Sequence, residues 1–164
     1  MAEIRIGQGI DIHRFGKGAG FYLGGIFIAH HQGVVAHSDG DVLIHALCDA
    51  LLGALSLGDI GHHFPDTDER FRGAPGQFLL SEVIRLVRER EYHPVNIDLT
   101  VLLERPKIAA YLPAMRENLS QCLGIQVDRV SIKATTSERL GYIGRGEGLE
   151  VHCIVLLEKA SGAS

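Results

Sequence analysis

Apolar residues along the chain follow two spacings, and each spacing predicts a type of element. Alternation with a period of two predicts β-strands over residues 3–13, 95–104, 129–136 and 149–158. Two short apolar runs on either side of Gly24 and Gly25 predict a tight hairpin. Apolar residues at helical spacing predict α-helices over residues 39–57, 75–91 and 108–123. This order predicts an α+β fold with one mixed sheet, helices packed on one face and a β-hairpin in the N-terminal half.

The first predicted helix is apolar nearly all round, which is typical of a buried helix, so its few polar residues are informative. Asp41, His45 and Asp49 recur at every fourth position and therefore fall along one stripe. Ser38 is the candidate N-cap, with Asp41 three residues on. A buried histidine is often satisfied by hydrogen bonds alone. An aspartate one turn away on either side could instead orient the imidazole as a metal ligand, and we interpret His45 in this way.

The first predicted strand offers two further ligands. Its apolar side carries the alternating isoleucines at residues 4–12, and its other side carries Asp11 and His13. At ~3.3 Å per residue these two residues are roughly 6–7 Å apart and point the same way, which suits two ligands on one ion. The alternative is a polar outer face with two chance ligands.

Two glycine-containing loops also carry chemistry. In residues 58–68, Asp59 and Asp66 could bind hydroxyl groups or a second cation, or they could only cap turns. Residues 135–148 combine hydroxyls, glycines and Arg145, as a phosphate-binding turn does, although a simple turn into the last strand has the same composition. Lys107 lies beside a predicted helix start, where anions bind. Together these residues favour a metal-dependent enzyme of phosphate chemistry.

Composition narrows the class of protein. The 164 residues fit one domain, expected over residues 1–160, with a disordered tail at 161–164. The net charge of −4 argues against nucleic-acid binding by bulk electrostatics. The three cysteines are widely spaced, which indicates reduced thiols and not a disulfide framework. The absence of a leader pattern and of a ~20-residue apolar run favours a soluble, cytoplasmic protein with no membrane partner.

Four motifs, in register over residues 4–158, resemble the 2-C-methyl-D-erythritol 2,4-cyclodiphosphate synthase family of the non-mevalonate isoprenoid pathway. They are Gly9-Ile-Asp-Ile-His13, His37-Ser-Asp-Gly-Asp41 through His45, Gly58-Asp-Ile-Gly61 with Phe64-Pro-Asp-Thr-Asp68, and Lys133-Ala-Thr-Thr-Ser-Glu138 with Gly144-Arg-Gly-Glu-Gly148. Two positions depart from the usual pattern. Gln8 stands where histidine is common, and Leu103-Glu-Arg-Pro-Lys-Ile108 replaces the usual Ala-Gln-Ala-Pro-Lys-Met or Leu.

The resemblance implies a homotrimer with active sites between subunits. The implied reaction converts 4-diphosphocytidyl-2-C-methyl-D-erythritol 2-phosphate to the cyclic diphosphate, with release of CMP. The 2-phosphate attacks the β-phosphorus of the CDP group, so the phosphoryl transfer is intramolecular. An axial cavity that can take up an isoprenoid diphosphate is also implied, with Arg145 near it.

The resemblance also implies roles for individual residues. Asp11, His13 and His45 would hold zinc, and Glu138 would hold magnesium or manganese with the substrate phosphates. The implied catalytic residues are Asp11, His13, His37, His45, Thr136 and Glu138. The methylerythritol phosphate end would be bound by His37, Ser38, Asp59, Ile60, Gly61, Phe64, Asp66 and Asp68. The CDP end would be bound, from a neighbouring subunit, by Leu103, Pro106, Lys107, Ile108, Ala109, Ala134, Thr135 and Thr136, and Tyr142 and Arg145 complete the implied substrate-binding set.

Two other functions share the metal and phosphate features. One is a phosphohydrolase that uses a zinc-bound water, which would place solvent oxygen in its product. The other is a non-catalytic trimer that holds zinc structurally or captures isoprenoid diphosphates.

Overall fold

The computed structural model describes residues 3–65 and 67–160, and it contains a five-stranded mixed sheet and a separate two-stranded hairpin. The sheet order is β4-β1-β7-β5-β6, in which β5 and β6 are parallel and the other pairs are antiparallel. The strands are β1 Ile4–Gly16, β2 Gly20–Leu23, β3 Ile26–Ala29, β4 Gly33–Val34, β5 Tyr92–Leu102, β6 Val130–Thr135 and β7 Gly148–Lys159. The predicted α+β class, mixed sheet and hairpin are confirmed.

Within the described ranges, five α-helices lie between these strands, and three of them are long. They are α1 Val42–Ala54, α2 Ile60–His63, α3 Gly76–Glu89, α4 Leu112–Leu123 and α5 Gly141–Gly144. Short 3-10 turns lie at Glu69–Phe71, Ala109–Tyr111 and Val127–Arg129. The apolar faces of α1, α3 and α4 share one core with the inward side chains of β5 and β7. The prediction of helices on one face of the sheet is therefore confirmed.

The packing of α1 on β1 reverses the predicted orientation of that strand. The side of β1 that faces α1 carries Gly7 and Gly9, where an added Cβ atom would collide with the helix backbone at Ala50 and Ala46. The helix axis lies so close to the sheet that only glycine leaves room for it. The isoleucines, which we interpreted as the buried side, point away from the helix.

The outer face of the sheet is consequently uncovered in the single chain. Its exposed isoleucines range from 46% exposed at Ile10 to 70% at Ile6. The others are Ile4 and Ile12 on β1 and Ile154 on β7. A contiguous apolar surface of this kind marks a site of protein or ligand contact.

Element boundaries differ from the predictions where side chains cap the helices. Helix α1 begins at Val42 because Asp41, and not Ser38, is its N-cap, and the Asp41 carboxylate accepts the Ile44 N–H. The predicted helix over residues 108–123 begins as a 3-10 turn, and α4 follows from Leu112. Gly124 ends α4 in the left-handed conformation, at φ 71°.

Three findings bear on the expectations from composition. Within the described residues, every helix is too short or too polar to cross a membrane. Cys48, Cys122 and Cys153 are free thiols, in agreement with the sequence. The predicted tail at 161–164, like Asp66, lies outside the described residues.

Candidate active site

Asp11, His13 and His45 meet where the middle of β1 faces the start of α1. The Asp11 Oδ2 atom lies 3.1 Å from Nδ1 of His13 and 3.1 Å from Nδ1 of His45. One donor atom from each of the three residues lies within 4.8 Å of the others. The two sequence patterns that suggested ligands, one on a strand and one on a helix, therefore converge on a single point.

The hydrogen bonding of this cluster fits a bound divalent cation. The buried Nδ1 atom of His13 has no hydrogen-bond partner in residues 3–65 and 67–160. A buried polar atom without a partner is costly, and a cation held between the imidazoles and the carboxylate would satisfy it. Two nitrogens and one oxygen form the set that zinc accepts in open catalytic sites.

The charges of the cluster are coupled. Burial raises the pKa of Asp11, but the close contacts with His13 and His45 and the charges of their imidazoles outweigh it and hold that pKa well below its usual value. Burial lowers the pKa of His45, but the Asp11 carboxylate outweighs it and raises that pKa above the usual value. The carboxylate is thus ionised and ready to bind a cation, and protons compete with the cation at His45.

Neither helix aspartate orients His45, contrary to the sequence interpretation. The Asp41 carboxylate accepts the N–H groups of Gly24, at 2.9 Å, and Gly25, at 2.6 Å, and so attaches the hairpin to the start of α1. The Asp49 carboxylate accepts the Ile60 N–H at 2.8 Å. The imidazole instead lies between Asp11, at Nδ1, and the Ser38 hydroxyl, 3.1 Å from Nε2.

The cluster forms one wall of a cavity of about 390 Å³. Of the residues implied for the methylerythritol end, His37, Ser38, Ile60, Gly61 and Phe64 line it. Four other lining residues belong to apolar or proline-containing stretches and could not be predicted from the sequence: Ala36, Pro65, Phe71 and Leu79. Leu79 is a buried residue of α3, so this helix contributes to the cavity wall.

Two carboxylates of the 58–68 loop act as caps. Asp59 accepts the His62 N–H at 2.9 Å at the start of α2. Asp68 caps the next 3-10 turn and forms an ion pair of 2.6 Å with Arg70. Asp59 therefore does cap a turn, through its Oδ1 atom. For Asp66 the choice between capping and binding lies outside the described residues.

The residues implied for the CDP end form a separate group, at the carboxyl ends of β5 and β6. Because these strands are parallel, the end of β6 at residues 134–135 and the segments that follow the two strands, 103–109 and 136–138, lie at the same edge of the sheet. Leu103 and Ile108 are buried, so their side chains belong to the core and only their main chain can face a ligand. None of this group, and not Glu138, lines the cavity of the metal cluster.

The turn at Glu138 has an unusual backbone. Glu138 and Arg139 both have positive φ, at 55° and 66°, in the left-handed region that side chains disfavour. The sequence missed Glu104, which binds this turn: its Oε1 atom accepts the N–H groups of Ser137 and Arg139, each at 3.1 Å. In the sequence, Glu104 differs from the other residues of its segment only as part of the departure from the family pattern. Its contacts with the turn could not be predicted, because they join residues that are 33 and 35 positions apart.

The glycine-rich segment after this turn is a single helical turn, α5, that leads into β7. The Tyr142 hydroxyl donates a hydrogen bond to Glu150, which raises the pKa of Tyr142 to about 12. Arg145 forms an ion pair of 2.7 Å with Glu147. Lys107 is exposed before the 3-10 turn Ala109–Tyr111, so the helix start predicted beside it is one short turn.

The fold and the cluster define an α+β protein with an open three-ligand site for a divalent cation, set in the wall of a cavity. Comparison with known proteins makes this assignment specific. The family model described as the YgbB family matches residues 4–158, and the chain belongs to that family.

Relatives and solved structures agree with the family assignment. The 2-C-methyl-D-erythritol 2,4-cyclodiphosphate synthase of Nitrosococcus oceani is 56% identical over 154 residues, which are 94% of this chain and 98% of that protein. A structure of such a synthase in a CDP-bound form is 41% identical, covers 93% of this chain and 99% of that chain, and has a TM-score of 0.86. The bifunctional IspDF of Campylobacter jejuni is 43% identical with a TM-score of 0.93; it matches 97% of this chain, which spans only 43% of that longer one.

Proposed function

We propose that this protein converts 4-diphosphocytidyl-2-C-methyl-D-erythritol 2-phosphate to 2-C-methyl-D-erythritol 2,4-cyclodiphosphate and CMP. The observation that carries the proposal is the Asp11–His13–His45 cluster in the wall of a cavity whose other walls carry His37, Ser38 and Gly61. Membership of a family whose relatives are named for this activity supports it.

Asp11, His13 and His45 are proposed to hold zinc. The ionised Asp11 carboxylate and the unpartnered Nδ1 atom of His13 support this assignment. Zinc here, with magnesium or manganese at Glu138, would offset the negative charge that keeps one phosphate from approaching another. A lone carboxylate with the substrate phosphates is a usual magnesium environment, so Glu138 fits the second cation.

The methylerythritol phosphate end is proposed to lie in the cavity. His37 and Ser38 lie at the end where the chain enters α1, and Ile60, Gly61 and Phe64 lie at the other end. The proposed set also includes Asp59, Asp66 and Asp68. Hydroxyl groups of the substrate would be held at both ends, which fixes the orientation of its 2-phosphate.

The CDP end is proposed to bind to the group on β5 and β6 of a neighbouring subunit. This group comprises Leu103, Pro106, Lys107, Ile108, Ala109, Ala134, Thr135 and Thr136, with Tyr142 and Arg145 nearby. Its separation from the cavity in a single chain supports a site completed by a second chain. Lys107 is the cation that would face the nucleotide phosphates.

The proposed assembly is a homotrimer. The uncovered isoleucines of β1 and β7 supply an apolar surface that association would bury. Within such a trimer, an axial cavity near Arg145 is proposed to take up an isoprenoid diphosphate.

In the proposed reaction the protein acts mainly by positioning the substrate. A 2-phosphate oxygen forms a bond to the β-phosphorus while the bond from that phosphorus to the CMP oxygen breaks, and CMP leaves with the electron pair. No water is consumed. Holding both ends of a flexible substrate makes its own phosphate the nucleophile, a large entropic advantage.

Product analysis tests the proposal. The purified protein is incubated with the diphosphocytidyl substrate, with chelator and after zinc and magnesium are restored, and products are followed by phosphorus NMR. We expect CMP and the cyclic diphosphate in equal amounts, lost with chelator and regained with metal. Zinc and CDP binding without turnover would overturn the proposal in favour of a binding protein.

A further inference from the structure

We propose that Glu104 is a positioning residue that holds the turn carrying Glu138 in its binding geometry. The inference rests on the proposed function, because Glu138 there holds the second cation. It adds a residue to which neither the sequence patterns nor the proposed site assigns a role.

The parallel ladder of β5 and β6 ends two residues before Glu104. The last paired residues are Leu102 and Thr135, and the Leu103 N–H adds one more bond, 2.9 Å long, to the Thr135 carbonyl. Beyond this point the segments that follow β5 and β6 separate, and the described main-chain hydrogen bonds no longer join them. The Glu104 side chain continues the connection.

A single carboxylate oxygen forms this connection. The Glu104 Oε1 atom accepts the N–H groups of Ser137 and Arg139, both at 3.1 Å. The Ser137 hydroxyl lies 3.2 Å from the same oxygen, but its one proton has a closer acceptor in the Leu140 carbonyl, at 2.7 Å. Two main-chain donors, one on each side of Glu138, are thus the firm contacts.

These two donors lie on a strained segment. Glu138 and Arg139 are consecutive non-glycine residues with positive φ. Such a conformation persists only where its surroundings over-determine it. The turn closes on itself, because the Leu140 N–H donates to the Ser137 carbonyl at 3.0 Å and the Ser137 hydroxyl donates to the Leu140 carbonyl at 2.7 Å. These contacts do not join the turn to β5. The Glu104 carboxylate is the described contact that does, and it therefore fixes the orientation of the turn, with Glu138, relative to the sheet.

The charge of Glu104 suits this role. Accepting the Arg139 N–H lowers the pKa of Glu104, against a smaller opposing effect of burial. The carboxylate is ionised at neutral pH and makes charge-assisted hydrogen bonds. Among the described residues, the Glu138 carboxylate has only the long contact to Thr136, which leaves it available for a cation.

The test compares Glu104→Ala with Glu104→Gln, which keeps an oxygen in the accepting position. Glu117→Ala is the matched control, because Glu117 is an exposed glutamate on α4, away from the turn. Amide exchange of residues 137–139 and the magnesium dependence of turnover are measured for all three variants, together with zinc content.

For Glu104→Ala we expect amide exchange at residues 137–139 to accelerate about tenfold, because the two N–H groups lose their acceptor. We expect the magnesium concentration at half-maximal rate to rise about tenfold, as when an outer partner of a metal ligand is removed. Saturating magnesium should restore kcat to within about twofold, with zinc content unchanged. Glu104→Gln should show a smaller defect than Glu104→Ala, because its amide oxygen can accept the same N–H groups but without the charge. Glu117→Ala should match wild type in all three measurements.

Unchanged amide exchange in Glu104→Ala would overturn the proposal, as would a kcat loss that saturating magnesium does not restore. Equal defects in Glu104→Gln and Glu104→Ala would also overturn it, because charge and not the hydrogen bonds would then be responsible. If the wild-type protein shows no turnover, the proposed function fails, while the exchange measurement still decides the role of Glu104.

Discussion

At the scale of single residues, the site depends on one carboxylate shared between two imidazoles. Asp11 contacts both His13 and His45 through the same oxygen, so the three side chains act as a unit. Removing Asp11 takes from both imidazoles the carboxylate that they share. Their effects on metal binding should therefore not be additive.

His45→Ala should lose zinc while the assembly survives. The variant removes one of three proposed ligands, so zinc affinity should fall by more than the roughly 10–100-fold that changes in outer partners cause. Metal content is measured by elemental analysis and assembly by light scattering. His31→Ala, which changes an exposed histidine, is the control. Zinc content near wild type in His45→Ala would contradict the ligand assignment.

The raised pKa of His45 predicts opposite pH trends for the metal-free and zinc-loaded protein. Burial lowers this pKa, but Asp11 raises it above 6.5, with help from Asp41 and Asp39. In the metal-free protein the interaction stabilises the fold fully below about pH 6.5 and is lost as the pH rises through the folded-state pKa. Zinc needs the neutral imidazole, so its affinity increases over the same range.

Calorimetry with chelator or with zinc, from about pH 6 to about pH 8, measures both trends. The Tm of the metal-free protein should fall with pH, and the increment that zinc adds should grow. His45→Ala, subtracted at each pH, removes the contribution of the other histidines. A zinc increment that shrinks as pH rises would be incompatible with these roles.

At the scale of elements, helix α1 is the rigid part on which the site is built. It carries His45, it is capped by Asp41, which attaches the hairpin, and Asp49 attaches the first residue of α2. Its close approach to β1, through Gly7 and Gly9, brings Asp11 and His13 within reach of His45. The distance between helix and sheet therefore sets the geometry of the metal cluster.

Gly9→Ala should disturb both stability and the metal site. The new Cβ atom would collide with the Ala46 backbone and lie 2.7 Å from the Ala50 nitrogen, so α1 must shift. Overpacking of this kind costs about 1–3 kcal/mol. Urea unfolding should show this loss, and zinc affinity should fall because His45 moves with the helix.

Gly53→Ala is the matched control on the same helix. Its Cβ atom would meet nothing closer than the Gln8 carbonyl oxygen at 3.8 Å. Replacing a helical glycine with alanine should stabilise the protein by about 0.5–1 kcal/mol. Equal effects of the two substitutions would contradict the account of the helix–sheet contact.

The sequence predicted these elements well and their orientation less well. Periodicity located the long helices and four of the strands, because each buries a face with a regular spacing. Periodicity assigned the wrong side of β1 to the core. The buried side there carries Gly7 and Gly9, and glycine does not count as apolar in such a pattern. An apolar face that is exposed in the single chain has the same pattern as a core face.

The residues of the candidate site that belong to a local sequence pattern could be predicted. Asp11, His13 and His45 were identified from spacing, and the structure brings them together. The partners of Asp41 and Asp49 were missed because they lie in other elements, at Gly24, Gly25 and Ile60. Contacts that depend on tertiary packing leave no local signal in the sequence.

At the scale of the whole molecule, the Asp11–His13–His45 cluster and the residues proposed to bind CDP lie on different parts of one chain. Mixing two inactive variants tests whether neighbouring subunits combine them. His45→Ala disrupts the Asp11–His13–His45 cluster, and Glu138→Ala removes the proposed ligand of the second cation. If each site takes one part from each of two subunits, mixed assemblies contain some sites with both parts intact.

The two variants, unfolded together and refolded at equal concentrations, should regain activity. Random assembly leaves about a quarter of the sites intact, so about a quarter of the wild-type rate is expected. Each variant refolded alone should stay inactive, which controls for residual activity. A mixture that is as inactive as its components would contradict a site shared between subunits.

In the proposed reaction the substrate's own phosphate, and not water, attacks the β-phosphorus. Turnover in water enriched in oxygen-18, followed by phosphorus NMR, distinguishes these two nucleophiles. We predict CMP and the cyclic diphosphate, both without the isotope shift that bound oxygen-18 produces. Linear phosphate products that carry oxygen-18 would contradict the proposed reaction and identify the protein as a metal-dependent phosphohydrolase.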